Sequence, residues 1–134
     1  MEGGRWNDVE VPAVYFGLTP AICCLDTFVH VTGRPQIPLK ITCFELPDDD
    51  ELYLRPDPET MPKGWSALPA DRSSMEFGTR GLEQNRQLGL IVPSAILPLE
   101  SNLVVNPRHP AIQHVKVLDS FDFSYDPRMF KGHG

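Results

Sequence analysis

The sequence has no long hydrophobic run, no cysteine framework and no excess of basic residues. No apolar stretch in its 134 residues approaches the roughly 20 residues that a membrane-spanning helix needs. Residues 1–6 show no signal-peptide pattern. The three cysteines, Cys23, Cys24 and Cys43, are odd in number and form no C-x-x-C motif, so neither a disulfide scaffold nor a zinc motif is indicated. We therefore expect a cytoplasmic protein without membrane association.

The charge balance is acidic, with twelve basic and eighteen acidic residues and a net charge of −6. Binding to nucleic-acid phosphates requires clustered Lys and Arg, so we expect no direct contact with nucleic acid. The four histidines show no metal-ligand spacing with cysteines or carboxylates, and we expect no metal site. His109, in the turn Asn106-Pro107-Arg108-His109-Pro110, is predicted to stabilise that turn by hydrogen bonding.

The chain is rich in proline (14) and glycine (10), spread along its whole length. This distribution predicts many short elements joined by tight turns. Thr19-Pro20 is a helix start, with Thr as N-cap and Pro at the first helical position. The hydrophobic patterns predict strands at 11–15, 39–46, 88–92, 102–105, 115–118 and 121–123. They also predict one helix at 20–33 and a second from Ser73 or Ser74 to about 86. Residues 47–70 are expected to form a surface loop that Trp65 attaches to the body of the domain.

Strands and helices intermingle here without regular βαβ alternation, so the predicted class is α+β, as one domain with a central mixed or antiparallel sheet and flanking helices. Phe121, Phe123, Met129 and Phe130, near the C-terminus, are expected to close the core in preference to forming an interface.

Three polar residues are candidates for chemistry, each with a plain structural alternative. Asp26 falls beside the apolar stripe of the first helix, where a carboxylate is costly unless it is paired or reaches solvent. Arg5 follows two glycines, which favours either close approach to an anion or a flexible terminus. Ser94 follows a strand end but has no G-x-S-x-G around it, so it is either a turn residue or a site residue.

In their order along the chain, these residues resemble the RES domain family. The first half of the resemblance consists of Gly4-Arg5-Trp6-Asn7, Pro12-Ala13-Val14-Tyr15, Leu25-Asp26 and Val29-His30. The second half consists of Leu46-Pro47-Asp48, Gly64-Trp65, Val92-Pro93-Ser94-Ala95, Asn102, the Asn106–Pro110 turn and residues 123–128. Each piece is short, but the ordered set covers nearly the whole chain.

The resemblance implies a toxin of a bacterial toxin–antitoxin pair, with a fold similar to that of ADP-ribosyltransferases. It implies an Xre-type helix-turn-helix antitoxin as partner and a homodimer within the toxin–antitoxin complex. NAD⁺ is then the substrate, with no further cofactor, and its nicotinamide–ribose bond is cleaved by hydrolysis or, with phosphate as co-substrate, by phosphorolysis. Transfer of ADP-ribose to a specific protein is an alternative outcome.

The resemblance also implies a set of site residues. Arg5, Asp26 and Ser94 match the catalytic Arg, Glu and Ser of the family, with Asp26 standing where the Glu belongs and paired with Arg5. The residues expected to bind the substrate are Arg5, Trp6, Tyr15 and Asn106. The family carries an upstream strand with a further Arg, and residues 1–134 are expected to form a RES domain that lacks this segment. A degenerate domain that binds a partner or NAD⁺ without turnover is therefore a second interpretation, and an unrelated α+β binding domain is a third.

Overall fold

Two sheets and two helices form the architecture of the computed structural model, which describes residues 5–6, 10–29, 38–57, 59, 61–63, 72–84 and 86–130. The elements are β1 (Val14–Gly17), α1 (Pro20–Phe28), β2 (Leu39–Glu45), β3 (Tyr53–Leu54), α2 (Arg72–Gln84), β4 (Gly89–Pro93), β5 (Ser101–Val105) and β6 (Lys116–Phe123). This content confirms the predicted α+β class. In the described ranges, no helix is long and apolar enough to cross a membrane.

The larger sheet has four strands in the order β1-β5-β4-β3. β5 pairs antiparallel with β1 on one side and with β4 on the other, while the short β3 pairs parallel with β4. β2 and β6 form a separate antiparallel ribbon whose register shifts between Cys43 and Phe44. β5 is therefore paired on both edges over nearly its whole length, whereas β4 pairs with β3 through only two residues.

The core divides between the two faces of the four-stranded sheet, as the period-2 alternation of strand side chains requires. One face, called the α2 face below, carries Leu90, Val92 and Val104, which pack with Trp6 and Leu82. The opposite face, called the ribbon face, carries Leu103 and Val105 together with Phe16. Phe16 meets Phe44 of the ribbon at a ring-centroid distance of 5.1 Å.

Local sequence signals predict the start of α1 correctly and several other boundaries incorrectly. Thr19 is the N-cap of α1 and its hydroxyl accepts a hydrogen bond from the Ile22 amide at 3.2 Å. The helix ends at Phe28, and the predicted end at Gly33 lies outside the described residues, as does Trp65. The predicted loop at 47–70 contains a 3₁₀ turn at Asp50–Leu52 and β3.

Two further predictions are wrong. α2 begins at Arg72, so Ser74 lies inside the helix and caps nothing. The separate strands predicted at 115–118 and 121–123 are one strand, β6, because Asp119 and Ser120 between them continue the ladder by pairing with Cys43 and Thr42 of β2.

Helix α2 packs directly on the backbone of Trp6, and Gly78 makes this approach possible. A Cβ atom at Gly78 would lie 1.8 Å from the carbonyl oxygen of Trp6, whereas a Cβ at Gly81, one turn on, would have its nearest contact at 3.3 Å, with the Cδ1 atom of Leu90. The neighbour of Gly78 is backbone and cannot rotate away, while that of Gly81 is the end of a side chain.

We therefore expect Gly78→Ala to lower the free energy of unfolding by about 1–3 kcal/mol, even though alanine favours helix. Gly81→Ala is the matched control in the same helix, where the gain in helix propensity of roughly 1 kcal/mol offsets a mild contact. Urea unfolding of both variants measures the difference. Equal stabilities of the two variants would contradict the close packing of α2 on Trp6.

Candidate functional site

Tyr15 and Asn102 lie on the α2 face of the central sheet. Tyr15 pairs with Val104, and Asn102, two residues earlier on β5, pairs with Gly17. Alternate residues of a strand, and residues directly opposite across a pair, point to the same side. The two polar side chains therefore share the face that carries the buried Val104.

The Arg5–Trp6 segment is held against this face by α2 and by Tyr15. The Ser74 hydroxyl, on α2, donates a hydrogen bond to the Arg5 carbonyl at 2.9 Å, and the Trp6 amide donates one to the Tyr15 phenol oxygen at 3.2 Å. The indole of Trp6 is 3% exposed and meets Phe77 edge-on at 6.1 Å. These contacts make Trp6 a core residue whose burial places Arg5, and its predicted contact with substrate stays a prediction.

Arg5 and Tyr15 are close enough to affect each other electrostatically. Burial lowers the pKa of the Arg5 guanidinium, and the Tyr15 phenol partly offsets this change. Burial likewise raises the pKa of Tyr15, while the hydrogen bond from Trp6 and the charge of Arg5 act in the opposite direction. An arginine stays protonated regardless, so the pair presents a cation beside a neutral phenol.

The carboxylate of Asp26 is fixed by Asn102. Asn102 Nδ2 donates a hydrogen bond to Asp26 Oδ2 at 2.7 Å, and the same nitrogen lies 3.5 Å from the carbonyl oxygen of Phe16. The expected pairing of Asp26 was with Arg5. The partner that the described residues show is this amide, which supplies a strong hydrogen bond to a half-buried carboxylate.

Ser94 lies at the same end of the sheet, two residues beyond Val92, which pairs with Asn102. Its amide donates to the Glu100 carbonyl at 2.9 Å, and its hydroxyl oxygen accepts from the amides of Ile96 and Leu97 at 3.2 and 3.3 Å. These are the contacts of a turn residue, and Ser94 is 1% exposed. Both side-chain bonds use the oxygen as acceptor, so the hydroxyl proton remains to be donated.

Asn106 lies away from Asn102. It follows the opposite end of β5, four residues from Asn102, or about 13 Å along the strand. Its Nδ2 donates to the Leu82 carbonyl at 3.2 Å and its Oδ1 accepts from the Arg108 amide at 3.0 Å. Both ends of this buried amide therefore serve the fold, since they tie α2 to the turn after β5. The predicted role of His109 is confirmed, because its Nδ1 accepts from the Ala111 amide at 3.1 Å.

A cavity of about 580 Å³ opens on the other side of α1, between β1 and the ribbon. Its lining is mostly apolar and aromatic, with two cysteines of α1 at one wall. Tyr15 lines it, whereas Arg5, Asp26 and Ser94 do not. No cluster of three or more His, Cys, Asp or Glu side chains in the described ranges is arranged to hold a metal ion.

Helix α1, which carries Asp26, is held at its start and in its second turn by residues that are distant in sequence. At its start, the Thr19 hydroxyl donates to Glu100 Oε1 at 2.6 Å. In its second turn, the Cys24 carbonyl accepts from the Tyr125 hydroxyl at 2.5 Å. Short-range sequence patterns contain no signal for such pairs, because each is separated by 81 or 101 residues.

The C-terminal aromatic residues supply the surroundings of Tyr125. Tyr125 contacts Phe28, Phe123 and Phe130 at ring-centroid distances of 5.5, 4.9 and 6.1 Å. Phe123 and Phe130 thus pack inside the molecule, as expected. Phe121 does not, since it is 54% exposed on β6.

The chain is similar to a known protein family along most of its length. The RES domain family model matches residues 1–126. The chain belongs to the RES domain family. It is 39% identical over 134 residues (98% of this chain, 83% of the relative) to the Prs ADP-ribosylating toxin of Sphingobium sp. (strain YBL2). The Toxin Res of Yersinia enterocolitica is 33% identical, over 95% of this chain and 84% of the relative. The Toxin Res of Pseudomonas putida is 35% identical, over 95% of this chain and 86% of the relative.

The tie between α1 and the C-terminal segment of this RES domain is testable by Tyr125→Phe. This change removes one hydrogen bond and should lower the free energy of unfolding by about 1 kcal/mol. Tyr53→Phe is the matched control, because Tyr53 donates a similar bond to the Pro47 carbonyl at 2.6 Å. Amide hydrogen exchange should quicken in α1 only for Tyr125→Phe. Similar exchange in α1 for both variants would show that Tyr125 does not hold this helix.

Proposed function

We propose that this RES domain is a toxin that consumes NAD⁺ by cleaving its nicotinamide–ribose bond. The observation that carries the proposal is the Asp26 carboxylate, which Asn102 holds at one end of the central sheet at 2.7 Å. Arg5 and Tyr15 are close enough to interact electrostatically, and Tyr15 shares a face of the sheet with Asn102. Homologues named as toxins support the class of activity.

The chemistry requires stabilisation of positive charge on the nicotinamide ribose. As the bond between C1′ and the nicotinamide nitrogen breaks, its electron pair stays with the ring, which leaves as a neutral molecule and needs no acid. The sugar then passes through an oxocarbenium-like state. A carboxylate that is already oriented stabilises this state without reorganisation, and Asp26 meets that requirement.

The acceptor completes the reaction on the ribose. In hydrolysis an oxygen of water bonds to C1′ and the water loses a proton, so that ADP-ribose is the product. In phosphorolysis an oxygen of inorganic phosphate forms the same bond. An assay with and without inorganic phosphate separates the two routes.

The remaining roles follow from charge and shape. The Arg5 guanidinium binds the pyrophosphate, because a guanidinium forms strong bidentate hydrogen bonds with phosphate oxygens. The Tyr15 ring stacks on the nicotinamide or its ribose. Ser94 donates its free hydroxyl proton to the nicotinamide ribose, while its oxygen keeps the turn closed.

Asp26 is one methylene shorter than the glutamate that the family carries at this place. A displacement of about 1 Å can reduce a rate by roughly 10²-fold, so we infer that turnover is slow in this chain. The second candidate, a domain that binds without turnover, rests on the same substitution.

An Xre-type helix-turn-helix protein is the antitoxin in this proposal, and the toxin acts in the cytoplasm, as a homodimer within the complex. The net charge of −6 supports a division of labour in which DNA binding belongs to the antitoxin, because this chain lacks the basic excess that phosphates require.

The proposal predicts that the purified chain consumes NAD⁺ and that Asp26→Asn reduces the rate about 10²–10³-fold. Arg5→Ala should raise KM about tenfold or more, since a charge-assisted hydrogen bond is lost. The matched controls are Asp122→Asn and Arg128→Ala, which remove exposed charges from surface ion pairs and should leave both constants unchanged. Equal losses in the controls, or no loss in Asp26→Asn, would contradict the site.

A parallel assay with phosphate distinguishes hydrolysis from phosphorolysis, and Asp26→Glu tests the missing methylene. If the short carboxylate limits the rate, Asp26→Glu should turn over faster than the parent chain. No NAD⁺ loss in either protein, with NAD⁺ binding retained, would establish the non-turnover candidate.

Transfer of ADP-ribose to a protein is a further candidate, favoured by the relative of 39% identity that is named an ADP-ribosylating toxin. Here a side-chain nucleophile replaces water at C1′. Incubating a bacterial extract with the chain and labelled NAD⁺ should label a discrete band that disappears with Asp26→Asn. Release of all label as free ADP-ribose would exclude transfer and leave hydrolysis.

A further inference from the structure

We propose that Asn102 is a positioning residue for the reaction: its side-chain amide fixes the Asp26 carboxylate in one orientation and leaves one carboxylate oxygen for the substrate ribose. This inference rests on the proposed function, since it assigns how the central carboxylate of that site is held. Asn102 does not touch the reacting atoms in this assignment and acts through Asp26.

The backbone of Asn102 is well suited to hold another residue in place. It lies on β5 and is paired on one side with Gly17 and on the other with Val92. Strands hydrogen-bonded on both edges do not shift in register without loss of both ladders. Asp26, in contrast, sits on a helix of only nine residues, so the sheet supplies the rigid reference and the helix supplies the carboxylate.

The surroundings also decide which end of the amide faces Asp26. Asn102 Nδ2 lies 2.7 Å from Asp26 Oδ2 and 3.5 Å from the Phe16 carbonyl oxygen. Both neighbours are acceptors, so only the NH₂ end can face them. The amide therefore donates its hydrogen bond to the carboxylate.

One oxygen of the carboxylate accepts this bond, and none of the described residues bonds to the other. Asn102 binds Oδ2, which leaves Oδ1 as an acceptor for a ribose hydroxyl. Gly17 makes the arrangement sterically possible, because a Cβ at this position would lie 2.5 Å from Cys23 Sγ and 2.7 Å from Ile22 Cγ2. The helix thus approaches the strand closely enough for the short aspartate side chain to reach the amide.

The side-chain amide of Asn106 offers a comparison, because it bonds to backbone groups that join elements of the fold. Its two ends are bonded to the backbone of Leu82 and Arg108. The amide of Asn102 instead donates its shortest hydrogen bond to a half-buried carboxylate. The fold alone does not require an ionisable group at this place.

The decisive variant is Asn102→Asp, with Asn102→Leu for comparison. A second carboxylate beside Asp26 disfavours ionisation of the pair, so the acid limb of the pH–rate profile should move up by about one pH unit or more, with activity recovering at higher pH. Asn102→Leu loses the bond without adding charge and should lower kcat about tenfold or more, with a smaller shift of the limb. The other carboxylate at this end, Glu100, is bonded to Thr19 and is unchanged in both variants.

A merely structural role of Asn102 would lower the folded fraction of both variants and leave the acid limb where it is, which would overturn the inference. A thermal double-mutant cycle with Asp26→Ala and Asn102→Ala provides a readout that needs no activity. Non-additive losses in Tm are expected because the two side chains are in direct contact. Additive losses would overturn the role of Asn102 even if NAD⁺ is consumed. Non-additive losses in a chain that does not consume NAD⁺ would support the contact and refute the proposed function.

Discussion

The contact between Asp26 and Asn102 is the constraint on which the rest of the site depends. A carboxylate that is partly withdrawn from water costs free energy unless a donor compensates it, and the donor here comes from β5, which is paired on both edges over nearly its whole length. Because the contact joins residues 76 positions apart, it also fixes where α1 sits. Thr19–Glu100 and Tyr125–Cys24 then secure the beginning and the second turn of the same helix.

Arg5, the cationic residue of the site, is positioned differently from Asp26. Its backbone position is set by the residues around it. Trp6 is buried in the core on the α2 face, Ser74 binds the Arg5 carbonyl, and Gly78 lets the helix approach. Core packing therefore holds the Arg5–Trp6 backbone beside Tyr15, which shares a face of the sheet with Asn102. Stability and function are coupled here, since loosening α2 moves Arg5.

The sequence correctly predicts those features of the fold that interactions between neighbouring residues determine. Thr19-Pro20 starts α1 because a hydroxyl cap and a proline at the first helical position act within one turn, and His109 stabilises its own turn for a similarly local reason. β3 was missed because two residues, Tyr53 and Leu54, carry no periodicity. The ordered motifs indicate the family, but they do not indicate the partner of Asp26. Charge alone favours Arg5 as that partner, whereas the fold supplies the neutral side-chain amide of Asn102. Such pairings depend on which strands become neighbours, and no local pattern encodes that.

The most direct test of the central claim is a crystal structure of the Asp26→Asn variant with NAD⁺ bound. The substitution keeps the shape of the side chain and should slow cleavage enough to trap the dinucleotide. We predict that the nicotinamide ribose lies within hydrogen-bonding distance of residue 26, with the pyrophosphate on Arg5 and a ring against Tyr15. A dinucleotide seated instead in the 580 Å³ cavity beside Cys23 and Phe44, away from Arg5 and residue 26, would contradict it.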